Sequence, residues 1–90
     1  KNETKEEILY IGAMSQNAID TVFCAVNTKR KTQKVITDYK VRGFSKHLNN
    51  AQKQGATLVA LIGEDEMENG TVWTKNLETK EENRVTIEDF

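Results

Sequence analysis

A cluster of four acids holds the side chains of this chain that are best suited to chemistry. It comprises Glu64, Asp65, Glu66 and Glu68, and it follows an apolar run at 58–62. Two carboxylates held close together can act as general acid and general base. No spacing among these acids, or between them and Asp20 or Asp38, singles out such a pair, so we predict no catalytic residues. The spacing does not match a calcium loop either, and we predict no metal site.

The chain has one histidine, His47, and one cysteine, Cys24. They are too few for a zinc site. A lone histidine beside Leu48 on a helix is typical of a surface or packing position. Cys24 lies between apolar helical positions, and we predict that it is a small buried hydrophobic residue. A single cysteine excludes an internal disulfide framework and fits a reducing compartment. Because neither a Walker loop nor GxGxxG is present, the sequence predicts no nucleotide cofactor.

Length and composition indicate one small domain spanning residues 1–90. A chain of this size can bury roughly 60% of its unfolded surface, which is enough for one modest core. Its apolar content of 37% and charged content of 30% are typical of a globular protein. No apolar run approaches the ~20 residues needed to cross a bilayer, so we predict no membrane partner.

Five short segments have the composition of β-strands. They are 8–11, 35–41, 58–62, 71–75 and 84–87. The first and third are continuously apolar, as expected for strands buried on both faces, and Gly12 is predicted to end the first. The second alternates apolar and β-branched residues. The last two alternate like the strands of a hairpin, and the acidic segment 63–68 before them is predicted to be a loop.

Two amphipathic helices lie between the first three strands. Ser15 is the expected cap of the first helix. The apolar face of that helix consists of Ile19, Val22, Phe23 and Val26. The second helix has Phe44, Leu48 and Ala51 on one face, and Gly55 is expected to end it.

This order of elements predicts an α/β fold. Strands that alternate with helices form right-handed crossovers and a parallel sheet, to which the terminal hairpin adds an antiparallel edge. We therefore expect a three-layer domain with a five-stranded mixed sheet and helices on both faces. Segments 12–15, 39–43 and 63–66 should meet at one edge of the sheet, where open α/β sheets bind their ligands.

Charge is divided unevenly along the chain. Residues 1–56 carry ten Lys/Arg and five Asp/Glu, whereas residues 57–90 carry three and nine. A basic half can attract phosphates at long range. Charge alone, however, favours ordinary solvated surface over a binding site.

Four segments in the second half of the chain match the pattern of one known family. They are FSKHL at 44–48 with Ala51 and Gly55, IGEDE at 62–66, NGTV at 69–72 and KNLETKE at 75–81. Together they resemble the C-terminal anticodon-binding domain of histidyl-tRNA synthetase. Each segment alone is weakly specific, and the combination is strongly specific. The first half of the chain agrees mainly in its order of strands and helices.

The resemblance implies that residues 1–90 are the anticodon-binding domain of a larger synthetase. The family binds ATP and histidine in a separate catalytic domain, so ATP and Mg²⁺ would belong to the parent enzyme and this domain would need no cofactor. The implied partner is the anticodon loop of the histidine-specific tRNA. The family also implies a cytoplasmic, homodimeric parent.

Three positions depart from the family pattern. His47 stands where glutamine is usual, and both side chains are planar hydrogen-bonding groups. Asn50 replaces a frequent tyrosine, which removes a stacking surface. Lys80 replaces a glycine, so we expect a different geometry for the hairpin turn.

The resemblance and the chemistry of unpaired bases together give a set of RNA-binding candidates. They are Tyr39, Lys40, Arg42, Lys46, His47, Glu64 and Glu66. The three cations would contact phosphates, and the tyrosine and histidine would stack on bases or hydrogen-bond to them. The two glutamates would accept hydrogen bonds from guanine donors. Phe44 and Trp73 are predicted to be packing residues instead.

Two other functions are compatible with the same fold. A synthetase-like regulatory protein could use such a domain for protein interaction, with its basic and acidic halves as the interface. A flavodoxin-like domain could bind a small anionic ligand, but the missing glycine-rich loop disfavours that function.

Overall fold

The computed structural model describes residues 8–38 and 40–90, which form five strands and three helices. The strands are β1 Ile8–Ala13, β2 Lys34–Asp38, β3 Leu58–Ile62, β4 Thr71–Asn76 and β5 Glu82–Thr86. The helices are α1 Ile19–Lys29, α2 Phe44–Lys53 and α3 Glu64–Asn69, and a short 3₁₀ turn, Gln16–Ala18, precedes α1. None of these helices is long and apolar enough to cross a membrane.

The strands form one mixed sheet in the order β2-β1-β3-β4-β5. β1 is parallel to β2 and β3, and its register places Ile11 beside Thr37 on one side and Ala60 on the other. β4 is antiparallel to both β3 and β5. This topology confirms the predicted α/β fold with a five-stranded mixed sheet.

Two apolar clusters cover the two faces of the sheet, because side chains alternate between the faces of a strand. On one face, α1 packs against β1 and β3 through Val22, Val26, Leu9, Ile11, Ala60 and Ile62. On the other face, α2 packs against the same strands through Ala51, Tyr10, Val59 and Leu61, with Trp73 of β4 alongside. The three-layer arrangement explains why β1 and β3 are apolar at consecutive positions.

The buried face of α1 differs from the predicted one. Val22 and Val26 are buried as predicted, but Phe23 is exposed, and the prediction that Cys24 is buried is wrong. The small side chain of Ala18 is completely buried at the start of the helix. Since small residues allow a helix to approach a sheet closely, they define this face as much as the large ones do.

β2 is shorter than predicted. It ends at Asp38, and Val41 lies exposed in the segment that leads to α2. The Asp38 carboxylate accepts the backbone N–H of Lys40 at 3.0 Å. Such a local hydrogen bond competes with strand pairing, which explains the early end. β5 begins and ends earlier than predicted, at Glu82–Thr86.

The acidic segment is a helix, so the predicted loop is wrong. Three acids occupy the first turn of α3, where the positive end of the helix dipole stabilises them. The Glu66 carboxylate accepts the backbone N–H of Gly63 at 2.9 Å and so caps the helix. Gly70, with φ of +70°, ends the helix in the left-handed conformation that favours glycine.

The turn between β4 and β5 places Lys80 at φ of +68°. Residues other than glycine rarely adopt this left-handed backbone conformation, whereas glycine adopts it at no steric cost. The Asn76 side chain supports the turn, since its oxygen accepts the backbone N–H groups of Glu78 and Thr79.

Candidate nucleic-acid interface

The carboxyl ends of the parallel strands form one edge of the sheet, and six of the seven RNA-binding candidates lie on the segments that follow them. These six are Lys40, Arg42, Lys46, His47, Glu64 and Glu66, and Tyr39 lies outside the described residues. We call this region, built from 12–16, 40–47 and 63–66, the carboxyl edge. The backbone N–H of Arg42 donates to the carbonyl of Ala13 at 3.3 Å, which joins the segment after β2 to the end of β1.

His47 is completely buried beneath the carboxyl edge. Its Nε2 lies 2.7 Å from the carbonyl oxygen of Ala13, and its Nδ1 lies 2.9 Å from the hydroxyl of Tyr10. A carbonyl can only accept, so Nε2 donates to Ala13, and in the neutral ring Nδ1 then accepts from the Tyr10 hydroxyl. Because the His47 side chain is completely buried, its ring has no exposed face on which a base could stack. His47 ties α2 to β1 instead of contacting a ligand directly.

Tyr10 extends this network to Asn50. Burial raises the pKa of Tyr10, and a hydrogen bond from the Asn50 side chain partly opposes that rise. Asn50, which departs from the family pattern, thus belongs to the same buried network as His47. Because both nitrogens of His47 have a partner on β1, these hydrogen bonds stabilise one position of α2 on the sheet.

An ion pair restrains Arg42. Its Nε lies 2.5 Å from Oδ2 of Asp38, and both side chains are partly buried. Burial acts to raise the pKa of Asp38, but the backbone N–H of Lys40 and the guanidinium of Arg42 outweigh it and hold that pKa below its ordinary range. Arg42 can therefore offer a phosphate only the guanidinium nitrogens that the pair leaves open.

Lys40 and Lys46 are the cations of the carboxyl edge that face solvent. Both are exposed, and neither forms an ion pair with any residue that the structure describes. Lys46 is in the first turn of α2, one residue before the buried His47. The helix therefore holds its backbone at a fixed position while its ammonium group remains in water.

The two candidate glutamates differ in exposure. Glu66 is buried, and its second oxygen lies 3.7 Å from the guanidinium of Arg84 on β5. Glu64 is exposed and accepts a hydrogen bond from the Ser15 hydroxyl at 3.4 Å. It lines a shallow recess of about 430 Å³ with Ser15, Gly63 and neighbouring residues. Glu64 can thus reach a ligand, whereas Glu66 shapes the recess.

We predict that Glu66→Ala destabilises the domain by about 1–2 kcal/mol, because it leaves the buried N–H of Gly63 without an acceptor. The ion pair with Arg84 should add little to that loss, because its two groups are 3.7 Å apart and the Arg84 side chain is 63% exposed. Urea unfolding followed by circular dichroism measures the effect. The matched control is Glu68→Ala, which removes an exposed acid from the same helix and should leave stability nearly unchanged. Equal losses from both variants would contradict the capping role of Glu66.

The chain matches one known family over most of its length. Residues 11–90 match the family described as the anticodon binding domain. The chain belongs to this family. The predicted resemblance is confirmed.

Relatives of this anticodon-binding domain are histidine–tRNA ligases. The chain is 46% identical to histidine–tRNA ligase of Sulfurovum over 87 residues, and 40% identical to that of Sulfurimonas denitrificans over 88 residues. These matches cover 97% and 98% of the chain but only 22% of each ligase. The apo crystal structure of S. aureus histidyl-tRNA synthetase superimposes with a TM-score of 0.80, at 26% identity, over 92% of the chain and 22% of the synthetase.

The anticodon-binding domain also contains site residues that the motifs did not reveal. Ser15, which follows β1, and Arg84 on β5 contact the two candidate glutamates, and Asn50 hydrogen-bonds to the Tyr10 side chain that also contacts His47. Their partners are distant in sequence, so no local spacing indicated them. Within 8–38 and 40–90, no group of three or more His, Cys, Asp or Glu could hold a metal ion.

Proposed function

We propose that this domain binds the anticodon loop of the histidine-specific tRNA, as the C-terminal domain of a histidine–tRNA ligase. The observation that carries the proposal is the carboxyl edge itself, in a chain of the anticodon-binding family. That edge presents the solvent-facing cations Lys40 and Lys46 beside the recess at Glu64. Cations attract the RNA backbone, and a carboxylate accepts hydrogen bonds from the base edges that donate.

In this proposal the exposed residues contact RNA and the buried ones hold them in place. Lys40, Lys46 and the open side of Arg42 meet phosphates. Glu64 accepts hydrogen bonds from the amino and imino groups of a guanine in the recess. His47 and Glu66 act indirectly, since each links a helix of the carboxyl edge to a strand. Tyr39 remains a candidate for stacking.

The parent enzyme in this proposal is a cytoplasmic homodimer that charges tRNA in a separate catalytic domain. That domain would bind ATP with Mg²⁺, and the domain described here would supply selectivity for the tRNA. The support for this step is that the chain spans about 22% of the ligases it matches.

Binding of the chain to a histidine anticodon stem-loop, measured against a stem-loop with a scrambled loop, tests the proposal. We expect tighter binding to the histidine anticodon, and an affinity that falls with salt. Lys46→Ala should weaken binding and reduce the slope of log K against log[salt] by about 0.7, the value for one phosphate of a single strand.

Lys53→Ala is the matched control for Lys46→Ala. Lys53 is an exposed lysine at the opposite end of α2, away from the carboxyl edge, so its removal should leave the slope unchanged. Equal binding to both loops would overturn the proposal and favour a regulatory domain. Equal slopes for the two variants would show that RNA does not bind at the carboxyl edge.

A further inference from the structure

An exposed aromatic ring lies beside the basic residues of the carboxyl edge. Phe44, the first residue of α2, is 43% exposed, although the sequence predicts a packing residue. Val41, another exposed apolar residue, lies three positions before it. In the sequence, Arg42 lies two positions before Phe44 and Lys46 lies two positions after it. Phe44 is thus half-exposed, and the nearest charged residues on either side of it in the sequence are both cations.

The ring is held in place from below. Phe44 contacts Trp73 edge to face, with ring centroids 4.7 Å apart and an angle of 66° between the planes. Trp73 is only 8% exposed and is fixed within the sheet, since β4 pairs with both β3 and β5. The first turn of α2 is anchored by the buried His47. A ring fixed in this way loses little conformational freedom when a ligand stacks on it.

The surroundings of the ring favour an anionic partner. Arg84, with its side chain 63% exposed, lies directly across from Trp73 on β5. The acids nearby are paired: Asp38 with Arg42, Glu66 with Arg84, and Glu82 with Lys75 at 3.8 Å. Lys46, two positions after Phe44, is exposed and forms no ion pair with any residue that the structure describes. A protein partner would need a larger apolar patch than one ring and Val41.

We propose that Phe44 is the stacking platform for one unpaired base of the bound RNA. The inference rests on the proposed function and adds a contact that reads the π-face of a base rather than its edge. The base would lie on the exposed face of the Phe44 ring, with its phosphate near Lys46. An open recess of about 280 Å³, lined by Trp73, Asn83, Arg84 and Glu82, lies alongside and leaves room for the neighbouring nucleotide.

Phe44→Leu is the decisive variant. Leucine keeps an apolar contact with Trp73 but has no π-face, and base–aromatic stacking is strong enough that its loss should weaken binding about ten-fold. The probe is a histidine anticodon stem-loop with 2-aminopurine at one loop position at a time. The wild-type chain should quench the fluorescence at one position, and Phe44→Leu should abolish that quenching while leaving the salt slope unchanged. The control variant Phe44→Tyr keeps an aromatic ring and should preserve both quenching and affinity.

The outcomes separate this inference from the proposed function. If Phe44→Leu binds and quenches like the wild type while the histidine loop is still preferred, stacking on Phe44 is overturned and the proposed function stands. If Phe44→Leu weakens binding to histidine and scrambled loops alike, and the wild type does not distinguish them, stacking is supported and the proposed specificity is overturned. If the wild type binds neither loop, both are overturned. The unfolding transition of each variant, followed by circular dichroism, identifies any loss that is due to misfolding.

Discussion

Replacing Gly12 with alanine should lower the free energy of unfolding by about 3 kcal/mol, since overpacking a core typically costs 1–3 kcal/mol and sometimes more. A Cβ at this position would lie 2.6 Å from Nδ1 and 2.7 Å from Cε1 of the His47 ring. The ring cannot retreat, because its two nitrogens are bonded to Tyr10 and Ala13. Either the strand or the helix must shift. Urea unfolding at neutral pH measures the loss.

Gly43→Ala provides the control for Gly12→Ala. Gly43 precedes α2 with φ of −72°, and a Cβ there would meet no atom within 4 Å. Alanine is a poorer helix cap than glycine, so a small loss below about 1 kcal/mol is expected. If Gly12→Ala is as mild as Gly43→Ala, the packing of His47 against β1 is not what limits position 12.

Position 12 also shows where prediction from the sequence reached its limit. A glycine after a short apolar run is typical of the end of a strand, and Gly12 was assigned that role. The structure continues β1 through Gly12 to Ala13, because the missing side chain makes room for a ring 35 positions away. The residues on either side of a glycine indicate which backbone conformation to expect for it. They do not reveal which distant side chain occupies the space beside it.

The acidic segment is different, because its helix could have been predicted. Acids in the first turn, a glutamate at the third helical position and a glycine at the end are all known helix signals. All three are present between Gly63 and Gly70. The apolar run of β3 and the end of α2 before Gly55 were simpler, and both predictions are confirmed.

The candidate site was predictable in position but not in exposure. The carboxyl edge follows from the order of strands and helices, and six candidates lie on its segments. Which of them face solvent depends on partners that come from other strands. Glu66 is buried because Gly63 and Arg84 surround its carboxylate, and His47 is buried because Tyr10 and Ala13 bind its ring.

His47→Leu should destabilise the domain by about 3 kcal/mol, although leucine fits a buried site. The substitution leaves the Tyr10 hydroxyl without its acceptor and removes the stronger of two donors to the carbonyl of Ala13. Unsatisfied buried groups of this kind cost about 1–3 kcal/mol each. His47→Gln should cost less than half as much, because an amide can donate to Ala13 and accept from Tyr10. Urea unfolding of both variants measures the difference, and equal losses would show that the two hydrogen bonds do not matter.

The same histidine gives a second, independent check through a double-mutant cycle. If the Cβ at position 12 is costly because it meets the imidazole, Gly12→Ala should cost about 1–2 kcal/mol less in the His47→Gln background, where no ring is present. Strictly additive losses would place the strain of Gly12→Ala elsewhere. A measured coupling would show that this contact helps to hold α2 on β1, with the ring packed against glycine and hydrogen-bonded at both nitrogens. The backbone positions of Lys46 and Phe44, both on the first turn of α2, depend on that contact.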